Sequence, residues 1–520
     1  MAQAPAPERR GAAPLEGGAR IAASLAVGLA TFMNVLDTSI ANVSIPAIAG
    51  DLGVSPNQGT WVITSFAVAN AISVPLTGWL TQRFGQVRLF LATITLFVTA
   101  SLLCGLALSM PMLIFFRVVQ GAVAGPMIPL SQTIMLSSYP REKSGVALAA
   151  FAVTVLVAPV VGPLLGGWIT DNFSWPWIFF INVPVGIISV GVTWSIYRSR
   201  ETPRLKRPID GVGLALLVIW VGSLQLMLDK GKDLDWFASG TIVALAVAAL
   251  LGFALFLVWE LTDEHPVVDL SLFERRNFAI GTSAISLAYG AYFGAIVLLP
   301  LWLQQYMGYT ATDAGWILAP VGVLAVFLTP LVGRASGRVD PRLLTTASLL
   351  IFALVSWMRS RFSTEVDLHA LIVPTVIQGA AVACFFIPLV ALALSGLPPQ
   401  RIAAATGLNN FLRITAGAFG TSISTTLWEN RAALHHSQLV ERATLYDPAT
   451  REALQNFANS GMDQSQAYAY LNRLIDQQAF TIAALDLFYA SAILLVLLIP
   501  LVWIARPTRG EAGPAAAGAH

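Results

Sequence analysis

Val119-Gln-Gly-Ala-Val-Ala-Gly-Pro-Met-Ile-Pro-Leu130 returns in closely similar form, with one residue added, as Ile377-Gln-Gly-Ala-Ala-Val-Ala-Cys-Phe-Phe-Ile-Pro-Leu389. A second echo precedes each copy: Gly78-Trp-Leu-Thr-Gln-Arg83 shares its glycine-to-arginine spacing with Gly333-Arg-Ala-Ser-Gly-Arg338. Both echoes lie in or beside long apolar runs. A window of about twenty residues, enough to cross roughly 30 Å of hydrocarbon as helix, picks out fourteen such runs. They lie near 21–45, 59–81, 88–108, 111–137, 144–169, 176–197, 210–229, 238–261, 278–303, 313–333, 342–360, 370–396, 402–428 and 481–505. Spans 2 and 4 therefore map to spans 10 and 12. Two halves of six spans with two extra central ones account for that offset, and parallel half-repeats mark alternating-access transporters whose site lies between the halves.

Composition agrees. Of the 520 residues 56% are hydrophobic and only 11% charged, outside the range of soluble domains. The reading is an all-α polytopic membrane protein, because lipid offers no partner to an open strand edge. Its parts are a flexible tail at 1–20, a six-helix half at 21–200, two additional spans at 201–277, and a second half at 278–505. That second half includes a polar helical loop at 429–480, with Asp447 and Asp463 placed as helix starts, and a disordered tail follows at 506–520. Arginine and lysine crowd the segments that share a side with the N-terminus, such as Arg83, Arg88, Arg198, Arg275, Arg342 and Arg401, while Arg359 and Arg361 fall among the few on the other side. By the positive-inside rule both termini are cytoplasmic.

Asp37 is the chemical centre of this reading. It stands inside the first apolar run, where an ionised side chain costs roughly 2.5–3.5 kcal/mol on insertion scales. Asn34, Thr38, Ala41 and Ser44 follow on one helical face at spacings of three and four, a polar stripe that should face a cavity. Arg117 is the candidate counter-charge, either for proton coupling and gating or as a fixed tie to carbonyls and Gln120. Arg413, with Asn409 one turn away, is a second intramembrane charge and divides between cavity lining and structure. Phe32, Phe66, Tyr292 and Phe411 are aromatic candidates for an apolar pocket.

Other chemistries fail on specifics. There is no nucleotide-binding loop, so ATP is not the energy source. The histidines have no metal spacing, Cys104 and Cys384 lie in apolar runs as small hydrophobes, and no nucleophile–base or metal cluster supports an enzyme. No cofactor is called for.

Six segments carry a family likeness: Leu36-Asp-Thr-Ser-Ile-Ala-Asn-Val43, Gln58-Gly-Thr-Trp-Val-Ile-Thr-Ser-Phe66, Phe116-Arg-Val-Val-Gln-Gly121, Gly162-Pro-Leu-Leu-Gly-Gly167, Trp175-Pro-Trp-Ile-Phe-Phe-Ile-Asn-Val-Pro184 and Ser395-Gly-Leu-Pro-Pro399. From about Thr31 to Trp503 the chain resembles the major facilitator superfamily. Within it the likeness is to the fourteen-span drug:proton antiporters that serve as inner-membrane pumps of three-part multidrug exporters. The resemblance implies a proton-driven efflux antiporter of hydrophobic or amphipathic toxic compounds in the bacterial inner membrane, conferring antibiotic resistance. Its partners would be protons, lipid, a periplasmic membrane-fusion adaptor and an outer-membrane channel. It implies proton transfer through Asp37 and Arg117, and a substrate cavity is expected near Asn34, Thr38, Gln120, Tyr292, Asn409 and Arg413. It also implies an exporter motif at Gly162, Pro163, Gly166 and Gly167, and a cytoplasmic gate loop at Gly78, Arg83, Gly85 and Arg88. The family's gate loop has Asp where this chain has Gln82, which should weaken its charge latch. An exporter of one endogenous metabolite, siderophore or lipid, and a non-transporting receptor on the same fold, remain the alternatives.

Overall fold

Long apolar runs must satisfy their own backbone within the bilayer, and in the computed structural model every regular element among the described residues is helical. Those residues are 14–506, apart from 55, 141–142, 205–207, 209, 265 and 337–338. The first half comprises α1 (Gly17–Asp51), α2 (Pro56–Gly59), α3 (Trp61–Ser73), α4 (Thr77–Phe84), α5 (Gln86–Gly105), α6 (Met110–Ala124), α7 (Met127–Ser138), α8 (Ser144–Asn172), α9 (Trp177–Phe180) and α10 (Asn182–Tyr197). The central pair is α11 (Gly211–Lys230) and α12 (Gly240–Thr262). The second half comprises α13 (Arg276–Gln305), α14 (Ala311–Ala335), α15 (Pro341–Arg359), α16 (Leu368–Leu394), α17 (Pro399–Arg442), α18 (Pro448–Asn459), α19 (Gln464–Leu497) and α20 (Ile499–Trp503).

Joined across the short breaks at Pro75, Pro126, Ile181 and Leu498, these elements include 12 helices long and apolar enough to cross a membrane. Two further long helices are α8, with 29 residues, and α17, with 44. Two expectations change. Helix α1 begins at Gly17, so residues 17–20 are helix rather than tail; residues 1–13 and 507–520 lie outside the described residues. The 429–480 segment is not a loop of separate short helices. Helix α17 runs unbroken to Arg442 and α19 starts at Gln464, leaving only α18 between them. Asp447 and Asp463 do cap α18 and α19, accepting from the Thr450 and Gln466 amides.

Each half has its own apolar core. Met33, Phe66, Phe90, Phe97 and Leu130 fill the first, and Ile285, Phe352, Phe385 and Leu389 the second. The central pair packs between the halves: Trp220 of α11 stands 5.0 Å from Phe253 on α12 and 5.7 Å from Phe411 on α17, and Thr64 of α3 donates to Asp229 (2.5 Å). The halves meet directly at the end of the bundle where α1 begins and α20 finishes. There a Cβ on Gly78 would lie 2.6 Å from Ala404 Cβ, and one on Gly333 would lie 2.6 Å from the Gly145 carbonyl. Both glycines belong to the echoed motif, so the repeat in sequence is a repeat in packing: α4 on α17, and α14 on α8.

Candidate functional site

Asp37 sits two-thirds of the way along α1, fully buried, with fully buried Arg117 of α6 beside it. Arg117 Nη1 donates to Asp37 Oδ2 (2.5 Å) and to Gln120 Oε1 (2.7 Å), and its Nε donates to the Val62 carbonyl (2.9 Å). The guanidinium lies over the Phe66 ring at 4.2 Å and the Phe179 ring at 5.6 Å. Two amides complete the carboxylate: Gln120 Nε2 (3.1 Å) and Asn182 Nδ2 (3.0 Å) both donate to Oδ1. Asn182 is held in turn by Ser101 Oγ (2.9 Å), which itself donates to the Phe179 carbonyl (2.9 Å).

A buried ion pair survives desolvation only when its remaining lone pairs and protons are satisfied. Here the carboxylate is satisfied on both oxygens while the guanidinium is not, since Arg117 Nη2 has no acceptor. Protonating Asp37 would remove the charge that holds Nη1, leaving Val62 and Gln120 to retain the arginine.

The polar stripe expected to face a cavity is instead dry at its centre. Asn34 donates to the Ala124 carbonyl (3.2 Å) and Thr38 to the Val35 carbonyl of its own helix (2.7 Å). Gln120 serves Asp37, and Tyr292 packs on Phe352 at 5.1 Å. None of these four lines the cavity between the halves. That cavity is walled by α7, α8, α16 and α17, and of the six expected residues it takes Asn409 and Arg413, together with Gln132 and Asn410. Arg413 bonds Asn410 Oδ1 (2.8 Å), not Asn409, which donates to Thr282 (3.0 Å). Among the aromatic candidates, Phe66 belongs to the arginine and Phe411 to the central pair.

Gly162 and Gly166 of α8 meet α1 at Ser39 and Ile40, two and three residues beyond Asp37; a Cβ on Gly166 would fall 2.9 Å from Ile40 Cγ1. The Pro163 side chain lies outside the described residues. In the gate loop, Gly85 adopts φ 88°, where glycine alone is unstrained, and a Cβ there would strike Glu201. The Glu201 carboxylate accepts from the Val87 (3.0 Å) and Arg88 (2.9 Å) amides at the start of α5. The loop thus has a carboxylate, supplied from beyond α10; Arg88 reaches it at 3.9 Å and Arg83 lies over Trp79.

The second half carries a reduced copy. Thr375 stands where the echo places Arg117, yet Arg359 of α15 fills the gap, donating to Gln378 (2.6 Å) and Thr375 (3.3 Å). It is 2% exposed, not a loop residue, and among the described residues no carboxylate pairs with it. Sequence reading missed Asn182, Ser101, Asn410 and Arg359; an amide within the apolar Ile181-Asn-Val-Pro184 was the available signal for the first.

Comparison with known proteins identifies the family. The family model described as Major Facilitator Superfamily matches residues 27–421. Multidrug export protein EmrB of Escherichia coli (strain K12) is 53% identical over 508 residues, covering 98% of this chain and 99% of that protein. Fatty acid resistance protein FarB of Neisseria gonorrhoeae is 50% identical over 494 residues, covering 95% and 97%. The solved proton:xylose symporter XylE superposes with a TM-score of 0.58 at 13% identity, over 94% of this chain and 96% of that one, a likeness of fold.

Proposed function

Because the chain belongs to the major facilitator superfamily, as a multi-pass secondary transporter and not an enzyme, we propose that it exports hydrophobic and amphipathic toxic compounds in exchange for protons. The observation that carries proton exchange is the sealed Asp37–Arg117 pair, a carboxylate buried in the first span and held by one guanidinium and two amides. A span that keeps an ionisable group at such cost uses it. The likeness to a multidrug export protein, EmrB, and a fatty acid resistance protein, FarB, supports efflux of more than one amphipathic compound.

In this reading α8 and α17 complete fourteen spans, and the basic residues gathered at the end where α1 begins and α20 finishes support that end facing the cytoplasm of a bacterial inner membrane. The continuation of α17 and α19 past the apolar spans, with α18 between them, offers a rigid periplasmic surface for a membrane-fusion adaptor that bridges to an outer-membrane channel. His435 to Asp486 (2.9 Å) and stacked Tyr306 and Phe480 (4.1 Å) stiffen its base.

The test uses inverted proteoliposomes holding only this chain and a fluorescent lipophilic dye. An imposed proton gradient should drive dye accumulation that a protonophore abolishes. No gradient-driven movement of dye or of detergent-like amphipaths would overturn the reading.

A further inference from the structure

Among the described residues, Arg413 is the one formal charge on the wall of the cavity between the halves: Gln132, Asn409, Asn410 and apolar side chains make up the rest. Its guanidinium lies 5.0 Å from the Tyr289 ring and 5.4 Å from the Phe386 ring. Nη2 donates to Asn410, but the buried Nε–H has no acceptor, and no ion pair forms at this residue among the described residues. Arginine cannot shed its charge, so a buried, half-bonded guanidinium facing a cavity is an unfilled anion site. We propose that Arg413 recognises the acid group of an exported amphipath, a carboxylate or comparable oxygen anion, whose apolar part lies along the Phe151 and Phe386 wall; this rests on the exporter reading above.

The cavity measures about 30 Å³, room for a headgroup and not for a whole drug-sized molecule. The apolar part therefore needs the halves to part, and the same contacts link the two events. Asn410, whose carbonyl holds Arg413, donates through Nδ2 to Gln132 Oε1 on α7 (3.2 Å), across the interface between the halves. A carboxylate that bridges Nε and Nη2 takes the place of the Asn410 carbonyl and loosens that tie. Amphipathic cations, by contrast, meet a fixed like charge with no carboxylate to receive them.

The test is binding to the purified full-length protein in detergent, with three twelve-carbon probes: laurate, its methyl ester and dodecyltrimethylammonium. Native protein should bind laurate above both others. Arg413→Gln should weaken laurate by about tenfold or more, the loss of a charge-assisted hydrogen bond, and leave the ester unchanged, while Arg413→Lys keeps part of the preference. Asn410→Asp, an isosteric change that sets a carboxylate beside Nη2, should abolish the laurate preference and admit the cation; it decides the matter if Arg413→Gln does not fold. Equal binding of laurate and ester by native protein, or equal losses for both probes in Arg413→Gln, would overturn the proposal. Arg413-dependent laurate binding without gradient-driven transport would sink the exporter reading and leave the anion site standing.

Discussion

Arg117 is fixed by a carboxylate, an amide, a backbone carbonyl and an aromatic face, so its substitution separates charge from packing. Arg117→Met strands the Asp37 carboxylate in a dry site and should cost roughly 3–5 kcal/mol, read as a lowered unfolding midpoint in detergent. The double variant Asp37→Asn/Arg117→Met removes both charges and should regain much of that stability without regaining transport. If the double variant were no more stable than Arg117→Met, the pair would not be the source of the cost. At this scale the sequence was legible where it broke a strong rule. A carboxylate in an apolar run announces itself, and Asp37 could be found from that alone. Asn182 and Ser101 stayed hidden because uncharged polar residues are common in spans, and only their meeting at Asp37 gives them meaning. Arg359 was concealed differently: at the last residue of an apolar run it reads as a loop charge, and only the fold shows it turned inward to Gln378.

Among elements, the α1–α8 contact is the one that bears on coupling, because Gly162 and Gly166 set α8 directly on the turn after Asp37. Gly162→Leu or Gly166→Leu should force these helices apart, at roughly 1–3 kcal/mol of overpacking, and should depress transport. Gly191→Leu on α10, with nothing within 4 Å of its Cβ position, should leave both unfolding midpoint and transport near native. Equal behaviour of all three variants would show that close approach of α1 and α8 has no part in function. The apolar periodicity placed these helices well because length and hydropathy are properties of a span alone. It failed over 429–442, where α17 continues as one helix past the expected end of its span at 428: a polar surface reads as loop, although α19 packs alongside it. Glu201 was likewise invisible, since nothing local says that a carboxylate after α10 caps α5.

At the scale of the whole molecule, the two halves touch where their echoed glycines lie, at the end where α1 begins and α20 finishes, and Thr133 meets Thr406 there with hydroxyls 3.1 Å apart. Rocking of the halves must break this contact. In a background with Cys104 and Cys384 replaced by Ala, oxidation of Thr133→Cys/Thr406→Cys should cross-link α7 to α17 and stop transport, and reduction should restore it. Native-rate transport by the cross-linked protein would exclude rocking at this interface. The two-half architecture was readable because the repeat survives as residues, whereas the cavity was not, since its wall is assembled from four helices of both halves that are far apart in sequence.

The central claim is that Asp37 carries the exchanged proton, and the most direct measurement compares two activities of Asp37→Asn in proteoliposomes: accumulation of substrate driven by a proton gradient, and gradient-free exchange of labelled for unlabelled substrate. A neutral amide at position 37 resembles the protonated carboxylate and cannot release a proton, so accumulation should vanish while exchange persists. Accumulation by Asp37→Asn at the native rate would show that the proton travels elsewhere.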